Sequence, residues 1–419
     1  MSEEKKILKH WHFKPLGDVL DIQGGSQPAK SNFIYEPKDG YIQLLQIRDF
    51  GEKGHPTFVP KKLVTKFCKK DDILIARYGA SLGRIVTGHE GAYNVALAKV
   101  IDDKGVFEKR FIFYLLKTQI FQTPLAMLSR SAQNGFSKGE IARIELPIPP
   151  LPEQQAIVAK IEELLSDLEN GKQQLQTAQQ QLKVYRQSLL KWAFEGKLTN
   201  KKVKEGELPK GWKWVKLNEA CKIIGGVTKG RDLKGKTSIQ LPYLRVANVQ
   251  DGYLDLRQIK TIEVLPSDKE KYQLLYGDIL YTEGGDKDKL GRGTIWKNEI
   301  KNCIHQNHIF RARPLTKDIN SKYIAYYSQT RTAKNYFFKH GKQTTNLASI
   351  NLTILSNLPL PLCTIKEQNH IVDELESKLT VCDNIEETIS HSLQQAETLR
   401  QSILKKAFEG KLVKNHVNP

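Results

Sequence analysis

Few strings in this 419-residue sequence combine the residue types that perform chemistry, and each can be held against the spacing its chemistry demands. Gly230-Arg-Asp-Leu-Lys-Gly-Lys-Thr237 fits the GxxxxGK[ST] pattern of a phosphate-binding loop. Such a loop works between a strand and a helix, where the helix N-terminus aims backbone N–H dipoles at the phosphates. Here Ser238-Ile-Gln-Leu-Pro242 follows, and Pro242 heads a strand-like run, so a basic loop is expected and not a nucleotide site. Cys303, His305 and His308 are ligand types, but they form one isolated cluster without the second pair a metal centre needs. The five cysteines are scattered and never spaced as CxxC, which suits reduced thiols and argues against a disulfide framework or zinc ribbon. An amino-methyltransferase strand end would require Asn-Pro-Pro or Asp-Pro-Pro, and a Pro-Asp nuclease a Pro-Asp dipeptide; the sequence contains none of these. No catalytic residue, metal ligand or cofactor is therefore expected in this chain.

Charge points elsewhere. Lys plus Arg number 65 against 46 Asp plus Glu, a net charge of +19. Between Lys301 and Thr345 nine basic residues stand against a single acid, Asp318. A polyanion is the direct reading, because neutralised phosphates release condensed counterions. The alternative is a merely basic protein, so the charge needs a second witness.

An internal repeat supplies it. Arg186–Leu198 (RQSLLKWAFEGKL) and Arg400–Leu412 (RQSILKKAFEGKL) agree at eleven of thirteen positions, at an offset of 214. The same offset carries Glu153-Gln154 onto Glu367-Gln368 and Ile157-Val158 onto Ile371-Val372. Further upstream the offset drifts: LPIP answers LPLP, Asp72-Ile-Leu answers Asp278-Ile-Leu, Leu82-Gly-Arg answers Leu290-Gly-Arg, and Trp11 with Gly24-Gly25 answers Trp212 with Gly225-Gly226. Polar loops at matching places in both copies are the best candidates for groove contacts, since Arg, Lys, Asn and Gln read base edges. Three pairs stand out. Ser26, Gln27 and Lys30 face Thr228, Lys229 and Arg231 after the double glycine. Arg77, Tyr78, Ser81 and Arg84 face Asp286, Lys287, Lys289 and Arg292 after the Asp-Ile-Leu strand. Gln133, Asn134, Ser137 and Lys138 face Gln343, Thr344, Thr345 and Asn346 before the LPxP strand. For each the alternative is a solvated loop side chain, and for Arg84 and Arg292 an ion pair with a carboxylate under the turn. Tyr323, Tyr326, Tyr327, Phe337 and Phe338 are expected to pack in a core, not to stack on bases.

These loops must be carried by something rigid. Asp72–Ala76 and Tyr243–Val249 read as strands, Phe111–Lys117 and Tyr323–Gln329 as short helices, giving mixed α/β (α+β) heads at 1–150 and 212–362. Each head is followed by one long helix, at 151–198 and 363–412, with a linker at 199–211 and a tail at 413–419. In the first helix Ile157, Ile161, Leu164, Leu168, Gly171, Leu175, Ala178, Leu182, Tyr185, Leu189 and Trp192 step 4,3 without interruption, the pattern of a coiled-coil seam. The second keeps Ile371, Leu375, Cys382, Ile385, Ile389, Ala396, Leu399 and Ile403 but places Lys378 and Ser392 in the seam, with Leu379 and Leu393 beside them as substitutes. An apolar rod needs a partner, and its own copy is at hand. No run of 18 apolar residues and no signal-peptide core occurs, so a cytoplasmic protein without a membrane partner is expected.

The order head, helix ending AFEGKL, head, helix ending AFEGKL resembles the specificity subunit of type I restriction–modification systems over essentially the whole chain. The strongest marks are LPIPPLPEQ and LPLPLCTIKEQ leading into the helices, the two RQSxLKxAFEGKL ends, and the two Asp-Ile-Leu strands with their Leu-Gly-Arg turns. The resemblance implies two target recognition domains, each reading half of a split double-stranded DNA site. It also implies an antiparallel helical spacer and docking of two modification (methyltransferase) subunits and of restriction subunits. S-adenosylmethionine, ATP and magnesium would belong to those partners. The reading from another class is a coiled-coil scaffold whose heads bind protein; salt-dependent DNA binding by the assembled complex separates the two.

Overall fold

The computed structural model describes residues 10–51, 54–131, 135–200, 203–204, 206–285, 290–343 and 348–413. The chain divides into two compact units that interleave along the sequence. One comprises Met1–Leu175 with His391–Pro419, the other Gln176–Ser390. Each unit thus holds one head, the N-terminal half of the helix that follows it and the C-terminal half of the other long helix.

The sheet at the centre of each head follows from the Asp-Ile-Leu signature. In the first unit four antiparallel strands run side by side in the order Asp21–Gly24, Leu97–Ile101, Ile73–Ala76, Ile85–Val86. In the second the order is Cys221–Gly225, Ile309–Pro314, Ile279–Thr282, Gly293–Ile295. Ile73–Ala76 and Ile279–Thr282 are buried along their whole length, as a central strand covered on both faces must be. The aspartate just before each closes the preceding turn. Asp72 accepts from Lys69 N and from Lys99 Nζ, while Asp278 accepts from Leu275 N and both arms of Arg313. The turn that follows needs glycine twice over. Gly83 and Gly291 have φ of +78° and +61°, and a Cβ on Gly291 would lie 2.3 Å from the Phe337 ring. Two short strands close the base of each head: His12–Pro15 pairs with Glu145–Ile148, and Lys213–Lys216 with Pro359–Leu362, so Pro147, Pro359 and Pro361 of the LPxP strings sit in two-stranded ribbons. The expected strand at Tyr243–Val249 is displaced, since pairing covers Ile239–Leu244 and Val246–Asn248 forms a 3₁₀ turn. The two short helices occur at Lys109–Leu115 and Ser321–Ser328.

Both long helices are continuous over 44 residues, Leu151–Phe194 and Ile365–Phe408. Their starts are locked to the heads by the glutamine of the shared Glu-Gln pair, Glu153-Gln154 and Glu367-Gln368. The Gln154 amide is buried, accepts from Glu108 N and donates to the carbonyls of Val106 and Pro149; Gln368 accepts from Asn320 N and donates to those of Asp318 and Cys363. Their ends explain AFEGKL. Leu404, Ala407 and Phe408 are buried in the core of the first unit, with Phe408 5.0 Å from Phe111. Leu190, Ala193 and Phe194 enter the core of the second, with Phe194 4.9 and 5.2 Å from Tyr323 and Tyr327. Gly196 and Gly410, at φ +73° and +67°, then cap the helices in the left-handed conformation.

The seam is one stripe over from part of the expected line. Ile157, Ile161, Leu182 and Leu189 are buried, as are Ile371, Leu375, Cys382, Ile389, Ala396 and Ile403 on the second helix, while Leu164, Leu168 and Leu175 are half-buried. Tyr185, Trp192, Ile385 and Leu399, however, are 40–50% exposed. Their place is taken by the next residue round: Arg186 donates to Asp383 and Glu386, and Leu190, Ala193, Leu404 and Ala407 turn inward. Lys378 reaches its own Glu374, and Leu379 packs on the core. No described helix is long and apolar enough to cross a membrane.

Candidate nucleic-acid interface

In the first head, Arg77 leaves the end of the strand Ile73–Ala76 and gathers all three candidate loops. Its backbone N–H donates to Ala96 O at 2.8 Å, and Nη2 lies 3.5 Å from Phe136 O. The guanidinium is 5.0 Å from the Tyr78 ring and 5.9 Å from that of Phe136, and it fills the space where a Cβ on Gly24 would stand. Tyr78 bridges Gly135 and is 46% exposed. The doubled glycine is a close-approach device: a Cβ on Gly25 would meet Asn94 O at 2.1 Å, and one on Gly226 would meet His305 O at 2.0 Å. Ser26 N donates to Tyr93 O, and its hydroxyl is buried without a partner. Gln27 and Lys30 are exposed, and Ser81 is half-buried in a 3₁₀ turn.

Several candidates prove to have local duties. Arg84 donates to Phe50 O and Arg292 to Gln250 Oε1, so neither finds the carboxylate envisaged under the turn. Ser137 caps the short helix Lys138–Ile141, accepting from Glu140 N while Glu140 accepts from Ser137 N. Lys138 pairs with Asp21, whose carboxyl the lysine's hydrogen bond holds below its usual range. Both partners are well exposed, so this pair holds Lys138 only loosely. Arg231 is committed more firmly, bidentate on the nearly buried Asp268. Thr228 and Lys229 are exposed. Gln133, Asn134, Lys287, Lys289, Thr344, Thr345 and Asn346 lie outside the described residues. Gln343 belongs to a small antiparallel sheet in which Lys342–Gln343 and Gly284–Gly285 flank Ala348–Ser349. That sheet joins the second and third loops of the second head, as the Tyr78–Gly135 bridge does in the first.

The glycine-rich string has no phosphate-loop frame. The strand Ile239–Leu244 follows it where a helix is required, and Gly230 and Gly235 turn through positive φ in open space. In the cysteine–histidine cluster the side chains take separate partners. Cys303 is buried, His305 Nδ1 is 2.8 Å from Ile309 O, and His308 Nδ1 is bound to Glu283. Among the described residues no three His, Cys, Asp or Glu converge as metal ligands. Tyr323, Tyr327 and Phe337 are fully buried and Tyr326 packs against the same core, whereas Phe338 is 49% exposed.

Position 305 carries a pH consequence. Burial pushes the His305 imidazole down to about 3, and Arg311 and Arg313 push in the same direction. Its Nδ1 proton serves Ile309 O, leaving Nε2 buried and bare. The unfolded chain takes up a proton near pH 6.5 and the folded one does not, so stability is lost as pH falls from about 6.5 towards 3. The expected slope is about 1.4 kcal/mol per pH unit. Urea midpoints between pH 7 and 5 should fall for the second unit, and His305→Asn, which retains a donor for Ile309 O, should flatten that slope. The matching place in the first head holds Tyr93, whose hydroxyl donates to Gln23 Oε1, so that unit lacks this liability.

Two copies of one head, each completed by the end of the other copy's helix and each joining its second and third polar loops beyond the central strand, define a duplicated recognition protein. The model of the type I restriction modification DNA specificity domain matches residues 9–177 and again 209–395, and the chain belongs to that family. Among curated proteins it is 29% identical to the EcoKI type I restriction enzyme specificity subunit of Escherichia coli K12, covering 97% of this chain and 90% of that one. It is 26% identical to the StySPI specificity subunit of Salmonella potsdam over the same shares. The fold matches the HsdS subunit from Thermoanaerobacter tengcongensis with a TM-score of 0.63 at 19% identity, covering 97% of this chain and 98% of that one. A structure of a type I restriction–modification system matches with a TM-score of 0.71 at 20% identity, covering 97% and 99%.

Proposed function

We propose that this chain is the sequence-specific recognition subunit of a type I restriction–modification complex, non-catalytic itself, which reads a bipartite asymmetric site in double-stranded DNA. The observation that carries the reading is the twofold occurrence of one arrangement: the second and third loops, far apart in sequence, meet just past the central strand in both heads, at Tyr78 and Gly135 in one and at Gly284 and Ser349 in the other. Because the heads present different side chains on the same backbone, the two half-sites differ. Partner methyltransferase subunits, two per chain, perform the adenine methylation with S-adenosylmethionine, and restriction subunits use ATP and magnesium; this chain tells them where.

Salt titration of DNA binding by the complex with its methyltransferase subunits tests the reading. Affinity for one bipartite sequence should fall steeply as salt rises, while a scaffold with protein-binding heads would show no such DNA affinity. Within this reading Arg77 is a base reader. Arg77→Ala is expected to cost about 1–3 kcal/mol of discrimination at one position of the first half-site and to leave the second half untouched. Methylome sequencing checks it; equal weakening on all sequences would make Arg77 a phosphate contact instead.

A further inference from the structure

The backbone position occupied by Arg77 in the first head is occupied by Glu283 in the second. Both follow directly on the fully buried central strand, Ile73–Ala76 or Ile279–Thr282. Arg77 N donates to Ala96 O and Glu283 N to His308 O, at 2.8 and 3.0 Å. The next residue, Tyr78 or Gly284, pairs with Gly135 or Ser349 of the third loop. Yet the chemistry is inverted. A guanidinium in one head becomes, in the other, a carboxylate that accepts from His308 Nδ1. Glu283 is one-third exposed and His308 half exposed, and both open onto a cleft of about 450 Å³ that Lys342, Ser349 and Val246 also line.

A carboxylate here is out of keeping with its surroundings. In a chain of net charge +19, an acid at the convergence of the polar loops repels the phosphates that the rest of the head attracts. Facing DNA, such an acid is offset where it accepts a hydrogen bond from a base, and the donors on a base edge are exocyclic amino groups. The cytosine N4 amino group is the partner suited to a glutamate in the major groove. His308 fits this role, because its bond to one carboxylate oxygen fixes the rotamer and leaves the other oxygen free to accept. Lys342, on the same cleft, supplies the positive charge for the adjoining backbone.

We infer that Glu283, oriented by His308, is a specificity-determining residue of the second head and reads a cytosine through its amino group. The inference rests on the DNA-reading role proposed above. The test is methylome sequencing of cells carrying the full-length chain with its methyltransferase subunits, as wild type, Glu283→Gln and His308→Ala. The wild-type motif should show an obligatory cytosine in the half-site read by the second head. Glu283→Gln should reduce discrimination at that one base at least tenfold, and His308→Ala should weaken it in the same place, with the first half-site unchanged in both. An unchanged motif in Glu283→Gln, relaxation in both half-sites, or a uniform loss of methylation without change of motif would each overturn the assignment. Absence of any bipartite methylation by the wild-type complex would instead refute the broader reading, so the two failures are distinguishable.

Discussion

A fragment ending near Lys204, supplied with the methyltransferase subunit, is expected to form a two-fold symmetric dimer and to direct methylation to a palindromic split site. The fragment contains the first head and a complete long helix, but it lacks His391–Pro419, which the first unit incorporates. What is lost from that core is chiefly Leu404, Ala407 and Phe408. A second copy of the fragment carries the same three side chains as Leu190, Ala193 and Phe194, on a helix end that matches at eleven of thirteen positions. Beside them Leu189 stands for Ile403, a volume-conserving change that cores tolerate. The fragment can therefore complete itself in trans, and a two-fold dimer of identical heads must read an inverted repeat. Each arm of that site should be the half normally read by the first head. Sedimentation and methylome sequencing decide the matter; a strictly monomeric fragment, or methylation at a non-palindromic site, would refute it.

Replacing Phe194 with Ala should destabilise the second unit by about 3–5 kcal/mol, the range for emptying a phenylalanine site in a close-packed core. Phe194 stands edge-on to both Tyr323 and Tyr327, which are themselves fully buried. Its loss opens a cavity that rigid aromatic neighbours cannot collapse into. Hydrogen exchange should show protection lost throughout Gln176–Ser390 while the first unit is much less affected, and Phe408→Ala should do the converse. Equal loss in both units from either substitution would show that the units do not unfold separately.

The duplicated frame was legible because it is written in local strings. AFEGKL encodes two buried side chains and a left-handed glycine cap, the Glu-Gln pair a buried amide clamp, and Asp-Ile-Leu a turn-closing carboxylate before a central strand. The phase of the helical seam was only partly legible. A heptad of apolar residues leaves two adjacent stripes in competition, and tertiary packing chose Leu190 and Ala193 over Tyr185 and Trp192. Individual site residues were the least legible. Whether an arginine is free or engaged depends on distant partners, as Arg231 on Asp268 shows, and no local pattern announces such a pairing. Glu283 was passed over because a search guided by positive charge discards acids, and His308 was weighed only as a metal ligand. The signal that could have found Glu283 was its alignment, through the strand end, with Arg77.

The interleaving of the two units gives the heads the character of exchangeable cassettes. The contacts that seat a head on its supporting helices are supplied by the Glu-Gln pair at one boundary and by AFEGKL at the other, and both boundaries read nearly alike in the two halves. A head moved between these two junctions, within one gene or between related genes, arrives with its fittings already matched. New combinations of half-sites can therefore arise by recombination, without any intermediate that must evolve a new fold, while the surface offered by the helices stays as it was. The chain separates what is allowed to vary from what must be kept.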